Sequence, residues 1–259
     1  MGDHIHLEIE DHVATVTIDR PERRNAMNWA VLADFLAAIE EVSGDDDCRA
    51  VIITGAGGAF CAGTDLSDLA DTPVAERGSR GGADRRSGWA LQSCPKPVIA
   101  AVDGPAVGMG AEFATQCDVR IASNRARFAW NFVHRGLVPD TGAGSWLLPR
   151  QIGLTAALEL VLSGEFLSAE EALGLGFVSQ VVAPEELLDA ARFEARRLSK
   201  GSPFAARLAK QLIYSGLASD IPDHLERTRT ALASCFASED HKEGVAAFLQ
   251  RREPRFVGR

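Results

Sequence analysis

The first two-thirds of the chain alternates between short apolar runs and polar, glycine-rich breaks. The last third repeats its apolar residues at helical spacing. In His6–Glu10 and Val13–Ile18 the side chains follow the two-residue period of strands, joined at Asp11-His12. Val31/Leu32, Phe35/Leu36, Ile39 and Val42 recur at helical spacing behind Asn28, a candidate N-cap. Ala50–Thr54 and Val98–Val102 are continuous apolar runs and predict buried strands. Shorter strands are expected at Val119–Ala122 and Val178–Val182, with a short segment, Arg127–Trp130, between them before Asn131–Gly136. Helices are expected up to Cys117, at Ser145–Arg150, Ala156–Leu162 and Ala169–Leu173, and from Pro184 to Lys200. Three more follow at Pro203–Ser215, Pro222–Phe236 and His241–Arg251. Strand-rich units followed by helices define an α/β architecture with a helical C-terminal section.

Two strands run into glycine-rich turns. Pro97–Asp118 carries an apolar strand, the turn Asp103-Gly104-Pro105, Gly108-Met109-Gly110, and then a helix with Glu112 in its first turn. Glycines let backbone approach a ligand closely, and the first amides of a helix have no acceptor within it. Those amides sit at the positive end of the helix dipole and suit a developing oxyanion. The second turn, Gly55–Leu66, follows Ala50–Thr54. Two such turns can offer two backbone N–H groups to one oxygen. On spacing alone the same residues also fit an ordinary strand–helix turn with an acidic residue favoured by the dipole. No phosphate-loop lysine follows and the dinucleotide glycine fingerprint is incomplete, which argues against a nucleotide cradle.

Leu137–Gly144 is another turn into a helix. Asp140 within it is read in two ways: as a helix cap, or as an acid or base beside an apolar wall of Phe132, Val138 and Trp146. Cys61 lies in apolar surroundings without an adjacent histidine and is read as a small buried hydrophobe. Asp45-Asp46-Asp47 is a solvated turn without the full calcium-loop pattern. Ser67–Pro95, with Pro73 and the arginines 77, 80, 85 and 86, is expected to be an irregular or partly helical segment over the site.

Composition narrows the function class. Thirty-six acids against 27 bases give a net charge of −9, which argues against a general nucleic-acid or anionic-membrane surface. Five scattered cysteines without a Cys-x-x-Cys pair fit reduced thiols in a cytoplasmic protein better than a disulfide framework or a zinc site. No apolar stretch approaches the roughly 18 residues that cross a bilayer. There is no Gly-x-Ser-x-Gly elbow, and His134 alone among the histidines falls near the turns, so a Ser-His-Asp site is weakly supported.

Six groups of residues, in order and spacing, carry a resemblance: Arg20-Pro21 with Asn25-Ala26-Met27; Phe60–Leu66; Lys96–Gly104; Gly108–Glu112 with Cys117-Asp118; Gly136–Pro139; and Ser238-Glu239-Asp240 with Glu243-Gly244 and Ala247-Phe248. Together they resemble the enoyl-CoA hydratase/isomerase (crotonase) family along essentially the whole chain. The resemblance implies a spiral of strand-strand-helix units over residues 1–200, carrying the site. It also implies a helical oligomerisation region over residues 201–259, in a homotrimer or dimer of trimers. It implies an acyl-CoA substrate, with coenzyme A arriving as part of that substrate, no permanently bound cofactor and no metal. The Thr64 and Met109 amides would hold the thioester oxygen. Ala62, Asp65 and Leu66 would line the adenine and pantetheine path, and Arg24 would approach the CoA phosphates. Ala26, Phe132 and Pro139 complete the binding set. Phe248 and Arg251 match positions that close the CoA pocket, sometimes from a neighbouring subunit.

Two departures from the family pattern stand out. Hydratases of the family carry two glutamates; Glu112 matches the first, and the second falls on Phe132. Hydratases usually have glycine where this chain has Asp140, a place where some isomerases of the family carry aspartate. The expected activity is isomerisation or hydration of an enoyl-CoA, with Glu112 and Asp140 moving protons. Hydrolysis or C–C cleavage of a cyclic or β-keto acyl-CoA is the second reading, and a catalytically weak acyl-CoA-binding scaffold the third.

Overall fold

A computed structural model describes residues 2–67 and 87–259. The chain opens with β1 (Ile5–Glu10), β2 (Val13–Ile18), α1 (Trp29–Gly44) and β3 (Ala50–Gly55). After residues 68–86 come α2 (Ala90–Ser93), β4 (Val98–Val102), β5 (Pro105–Val107), α3 (Met109–Gln116), β6 (Val119–Ser123) and β7 (Arg127–Ala129). A 3₁₀ turn, Asn131–Arg135, leads to α4 (Ala143–Trp146), α5 (Leu148–Ile152), α6 (Leu154–Ser163), β8 (Leu167–Ser168), α7 (Ala169–Gly174) and β9 (Gln180–Val182). The remainder is helical: α8 (Leu187–Leu198), α9 (Pro203–Gly216), α10 (Ile221–Ala237) and α11 (Glu239–Gln250). Most of the expected segment Ser67–Pro95, including its proline and arginines, lies outside the described residues.

The main sheet has strand order β1-β2-β3-β4-β6-β9, with β1 antiparallel to β2 and the other pairs parallel. Its alternation divides two cores. Val98, Ala100 and Val102 of β4 face one side with Val51 and Ile53 of β3, and α1 adds Phe35, Ile39 and Val42 there. Ile99 and Ala101 face the other side with Ala50 and Ile52, where α8 presents Leu187, Ala191 and Ala195. Those three α8 residues recur every four positions, so they form one stripe on the helix. Both faces of the central strands are covered, which is why β3 and β4 are continuously apolar.

A second sheet, in the order β5-β7-β8, takes in Pro105–Val107, where the spacing suggested only a turn. Pro105–Val107 pairs in parallel with Arg127–Ala129, and Cys61 bridges to Ala106. The two glycine-rich turns are thereby tied together. Gly110 permits this contact: a Cβ there would run into the Cys61 carbonyl oxygen.

Several expected boundaries shift. The single helix at Ser145–Arg150 is two short ones, because Pro149 in the first turn of α5 has no N–H to continue α4. Gly142, not Asp140, is the N-cap of α4, at φ 83° and without a side-chain cap, so the capping reading of Asp140 does not hold. The helix expected from Pro184 begins as a 3₁₀ turn and is α-helical only from Leu187 to Leu198. Val178 belongs to the turn before β9, with its amide bonded to the Ala172 carbonyl. Asn28 does cap α1, accepting from the Val31 amide at 2.8 Å.

Side chains of the motif residues hold the framework around the turns. Asn25 is fully buried; its Nδ2 donates to the carbonyls of Ala56 and Ala59, and its Oδ1 accepts from the Arg20 amide. Asp118 takes three donors: the Val98 amide at 2.8 Å, Lys210 Nζ at 2.7 Å and the Tyr214 hydroxyl at 2.8 Å. The last two come from α9, so one carboxylate fastens the C-terminal helices to the strand that feeds the central turn. Among the described residues, no helix is long and apolar enough to cross a membrane.

Candidate active site

The two turns and the loop after the 3₁₀ turn enclose a cavity of about 320 Å³. Thr64 and Met109 line it, with Ala26, Ala62, Leu66, Phe132 and Asp140. Neither the Thr64 nor the Met109 amide has a hydrogen-bond acceptor among the described residues. Their neighbours do: Gly63 N–H goes to Cys61 Sγ, Asp65 N–H to the Met27 carbonyl and Gly108 N–H to the Ala129 carbonyl. A Cβ placed on Gly63 would lie 3.5 Å from the Met109 nitrogen, so the two turns touch at the point where the free amides emerge. Met109 opens α3, which adds the helix dipole to its donor.

Asp65 also lines the cavity, but its carboxylate is turned to the loop. It accepts from Arg20 Nη1 at 2.8 Å and from the Ser67 hydroxyl at 2.5 Å, and these bonds, Ser67's first, hold its pKa below the usual carboxylate value. Asp65 therefore anchors the turn carrying Thr64. Cys61 is fully buried and its thiol is pushed up to about 12 by burial, in line with a packing role.

The two acidic residues differ in placement. Asp140 reaches solvent at the cavity mouth, yet protein surrounds most of its carboxyl group, and this desolvation pushes it up to about 6. Of the expected apolar wall, Phe132 is buried against the cavity while Val138 is 77% exposed. Glu112 is fully buried and does not line the cavity. Its Oε2 accepts from the Thr141 hydroxyl at 2.7 Å and its Oε1 from the Gly144 amide at 2.7 Å. Gly144 must be glycine for this: a Cβ would overlap the carboxylate oxygen and crowd Trp130. Burial raises Glu112 to about 7, the Thr141 bond opposes the rise, and the nearby Asp140 charge adds to it.

Arg24, Pro139, Phe248 and Arg251 do not line this cavity. Arg24 occupies a left-handed turn beside it, and Phe248 is 83% exposed on α11, at the edge of a separate recess. Arg23, Asn131 and Arg135 line the cavity and were not singled out from the sequence. Arg23 adjoins a motif arginine and carried a weak signal; Arg135 carried none, because only the 3₁₀ turn brings it round.

The family model described as enoyl-CoA hydratase/isomerase matches residues 8–259. The chain belongs to the enoyl-CoA hydratase/isomerase family. It is 39% identical over 248 residues to the short-chain-enoyl-CoA hydratase of Clostridium acetobutylicum, covering 95% of each chain. It is also 39% identical over 263 residues to the 1,2-epoxyphenylacetyl-CoA isomerase of Escherichia coli, covering all of both. The crystal structure of an enoyl-CoA hydratase from Bacillus anthracis superposes with a TM-score of 0.93 at 32% identity, over 99% of this chain and 100% of that one. The fold is thus the crotonase fold, and the chain is an enzyme of a family that holds both lyases and isomerases. Hydratase and isomerase relatives stand at equal identity, so overall likeness does not choose between the two reactions.

Proposed function

We propose that this enzyme is an acyl-CoA isomerase in which Asp140 carries the proton. The observation behind this reading is that Asp140 shares one cavity with the unpaired Thr64 and Met109 amides and with Phe132, which by the resemblance stands where hydratases of the family carry their second glutamate. The thioester oxygen accepts from both amides, which lowers the cost of charge on that oxygen when the substrate loses a proton; one such donor is typically worth about 3 kcal/mol. The Asp140 carboxylate removes the proton from one carbon, leaving an enolate. Returning it to a carbon further along shifts the double bond, with no atom gained or lost. Phe132 presents an apolar face where hydration would need a second carboxylate to orient water. Glu112 supports the step from behind the wall as a buried carboxyl whose pKa burial raises. Arg23 and Arg135 supply positive charge for a phosphate-bearing ligand at the cavity edge.

Hydration has one observation in its favour: Glu112 is raised to about 7, a value suited to general acid–base work. The two readings separate on a panel of 2-enoyl-, 3-enoyl- and ring-derived acyl-CoA thioesters, followed by absorbance and product mass. Isomerisation changes the absorbance and leaves the mass unchanged. A product heavier by one water would assign hydration and displace the isomerase reading.

We also propose that the enzyme acts in the cytoplasm as a homotrimer or dimer of trimers built through α9–α11. Neither α9 nor α10 buries a residue within one chain, and Ile213 and Ile221 on them are 67% and 76% exposed. Such a stretch of apolar surface is large for a chain acting alone. A neighbouring subunit would also bring Phe248 and Arg251 within reach of a CoA moiety, which one chain by itself does not do.

A further inference from the structure

Around Glu112 the direction of each hydrogen bond is fixed. Gln116 Nε2 donates to the Gly88 carbonyl at 2.9 Å, which identifies it as the amide nitrogen, since a carbonyl only accepts. The same nitrogen lies 3.1 Å from Thr141 Oγ1, and the Ala143 amide donates to that oxygen at 3.3 Å. A hydroxyl oxygen has two lone pairs and one hydrogen. Both lone pairs of Thr141 are engaged, so its hydrogen points to Glu112 Oε2. The Gly144 amide donates to the other oxygen. Protonating Glu112 weakens one of these bonds, because an oxygen that carries a proton is a poorer acceptor; the ionised form accepts both in full.

We propose that Thr141, oriented by Gln116, is a positioning residue that holds Glu112 as a proton acceptor behind the cavity wall. Its importance to turnover rests on the function proposed above for Glu112; its effect on Glu112 itself does not. Burial pulls Glu112 towards the neutral form and the Thr141 bond pulls it back. β5, α2 and α4 pack on α3 without a charged residue; α1 reaches it through Phe35 on Phe113, α5 through Gln151 to the Thr115 carbonyl, and β6 through the buried Arg120, whose guanidinium bonds to the Ala114 carbonyl further along the helix. Asp140, in the loop before α4, is the charged group acting on Glu112. Its charge raises Glu112, so Thr141 and Gly144 work against both burial and Asp140.

The test is the titration of the Glu112 carboxyl, followed by infrared spectroscopy of protein labelled in its glutamate carboxyls. Glu112→Gln identifies the band. Thr141→Val keeps the shape and removes the O–H; a bond to a charged group is strong enough that its loss should raise the Glu112 midpoint by about one pH unit or more. Thr141→Ser should restore the original midpoint. Gln116→Met frees the hydroxyl to rotate and should give a smaller upward shift, which serves if Thr141→Val does not fold. An unmoved midpoint in Thr141→Val, or in Gln116→Met where that variant alone folds, would overturn the proposal. So would a shift that Thr141→Ser fails to reverse. A shifted midpoint with an unchanged pH profile of kcat would leave Thr141 as the positioning residue and remove Glu112 from the reaction.

Discussion

At the scale of single residues, two carboxyl groups a short way apart are held in different states by their surroundings. Asp140 meets the cavity and desolvation pushes it up to about 6; Glu112 is sealed behind it and burial pushes it up to about 7. Their folded-state values lie above the ordinary carboxylate range, so the native state keeps protons that the unfolded chain has released. The stability these groups contribute is therefore full below about pH 4 and is lost as pH rises towards 7. Activity carries the opposite sign if Asp140 is the base, because it must be ionised. The expected profile of kcat/KM is a rise through about pH 6, read on any accepted thioester. Asp140→Asn should remove that rise. A profile flat from pH 5 to 8 in the unaltered enzyme would speak against Asp140 as the base.

Among elements, the junction of the two glycine turns carries the geometry. Gly110→Ala improves intrinsic helix propensity by up to about 1 kcal/mol. Its Cβ, however, meets the Cys61 carbonyl, a backbone atom that cannot swing aside. Overpacking of this kind typically costs about 1–3 kcal/mol, so the clash wins. The expected outcome is a lower midpoint in chemical unfolding together with loss of turnover, as the Met109 amide moves away from Thr64. Retained stability and full turnover would show that the turns tolerate separation. The turns themselves were legible in the sequence, as were β3, β4, α1 and the helical tail, because each is written in a local period or a local run. The bonds between the turns were not. β5 is three residues long and exists through its pairing with β7. Gly144 and Thr141 hold Glu112 from about thirty positions away, a distance over which no local pattern reports. The resemblance filled part of that gap, since Asn25 and Asp118 are framework residues whose motif positions were recognised before their partners were known.

For the whole molecule, α9 is tied to the core by polar contacts of Lys210 and Tyr214 with Asp118, and α9–α11 leave apolar surface outward. Sedimentation at micromolar concentration should give a trimer or hexamer, and Ile213→Glu should lower the assembly state. A stable monomer would contradict this assembly.

The proposed reaction depends on one group in one cavity, and a single substitution tests it. Asp140→Asn keeps the size of the side chain and removes its capacity to carry a proton. With binding of a non-reacting acyl-CoA measured separately, kcat for interconversion of 2-enoyl- and 3-enoyl-CoA should fall by about 10²–10⁴-fold, the usual worth of a general acid–base group, while affinity stays nearly constant. Full turnover in Asp140→Asn would contradict the proposed role of Asp140 and return the chemistry to Glu112.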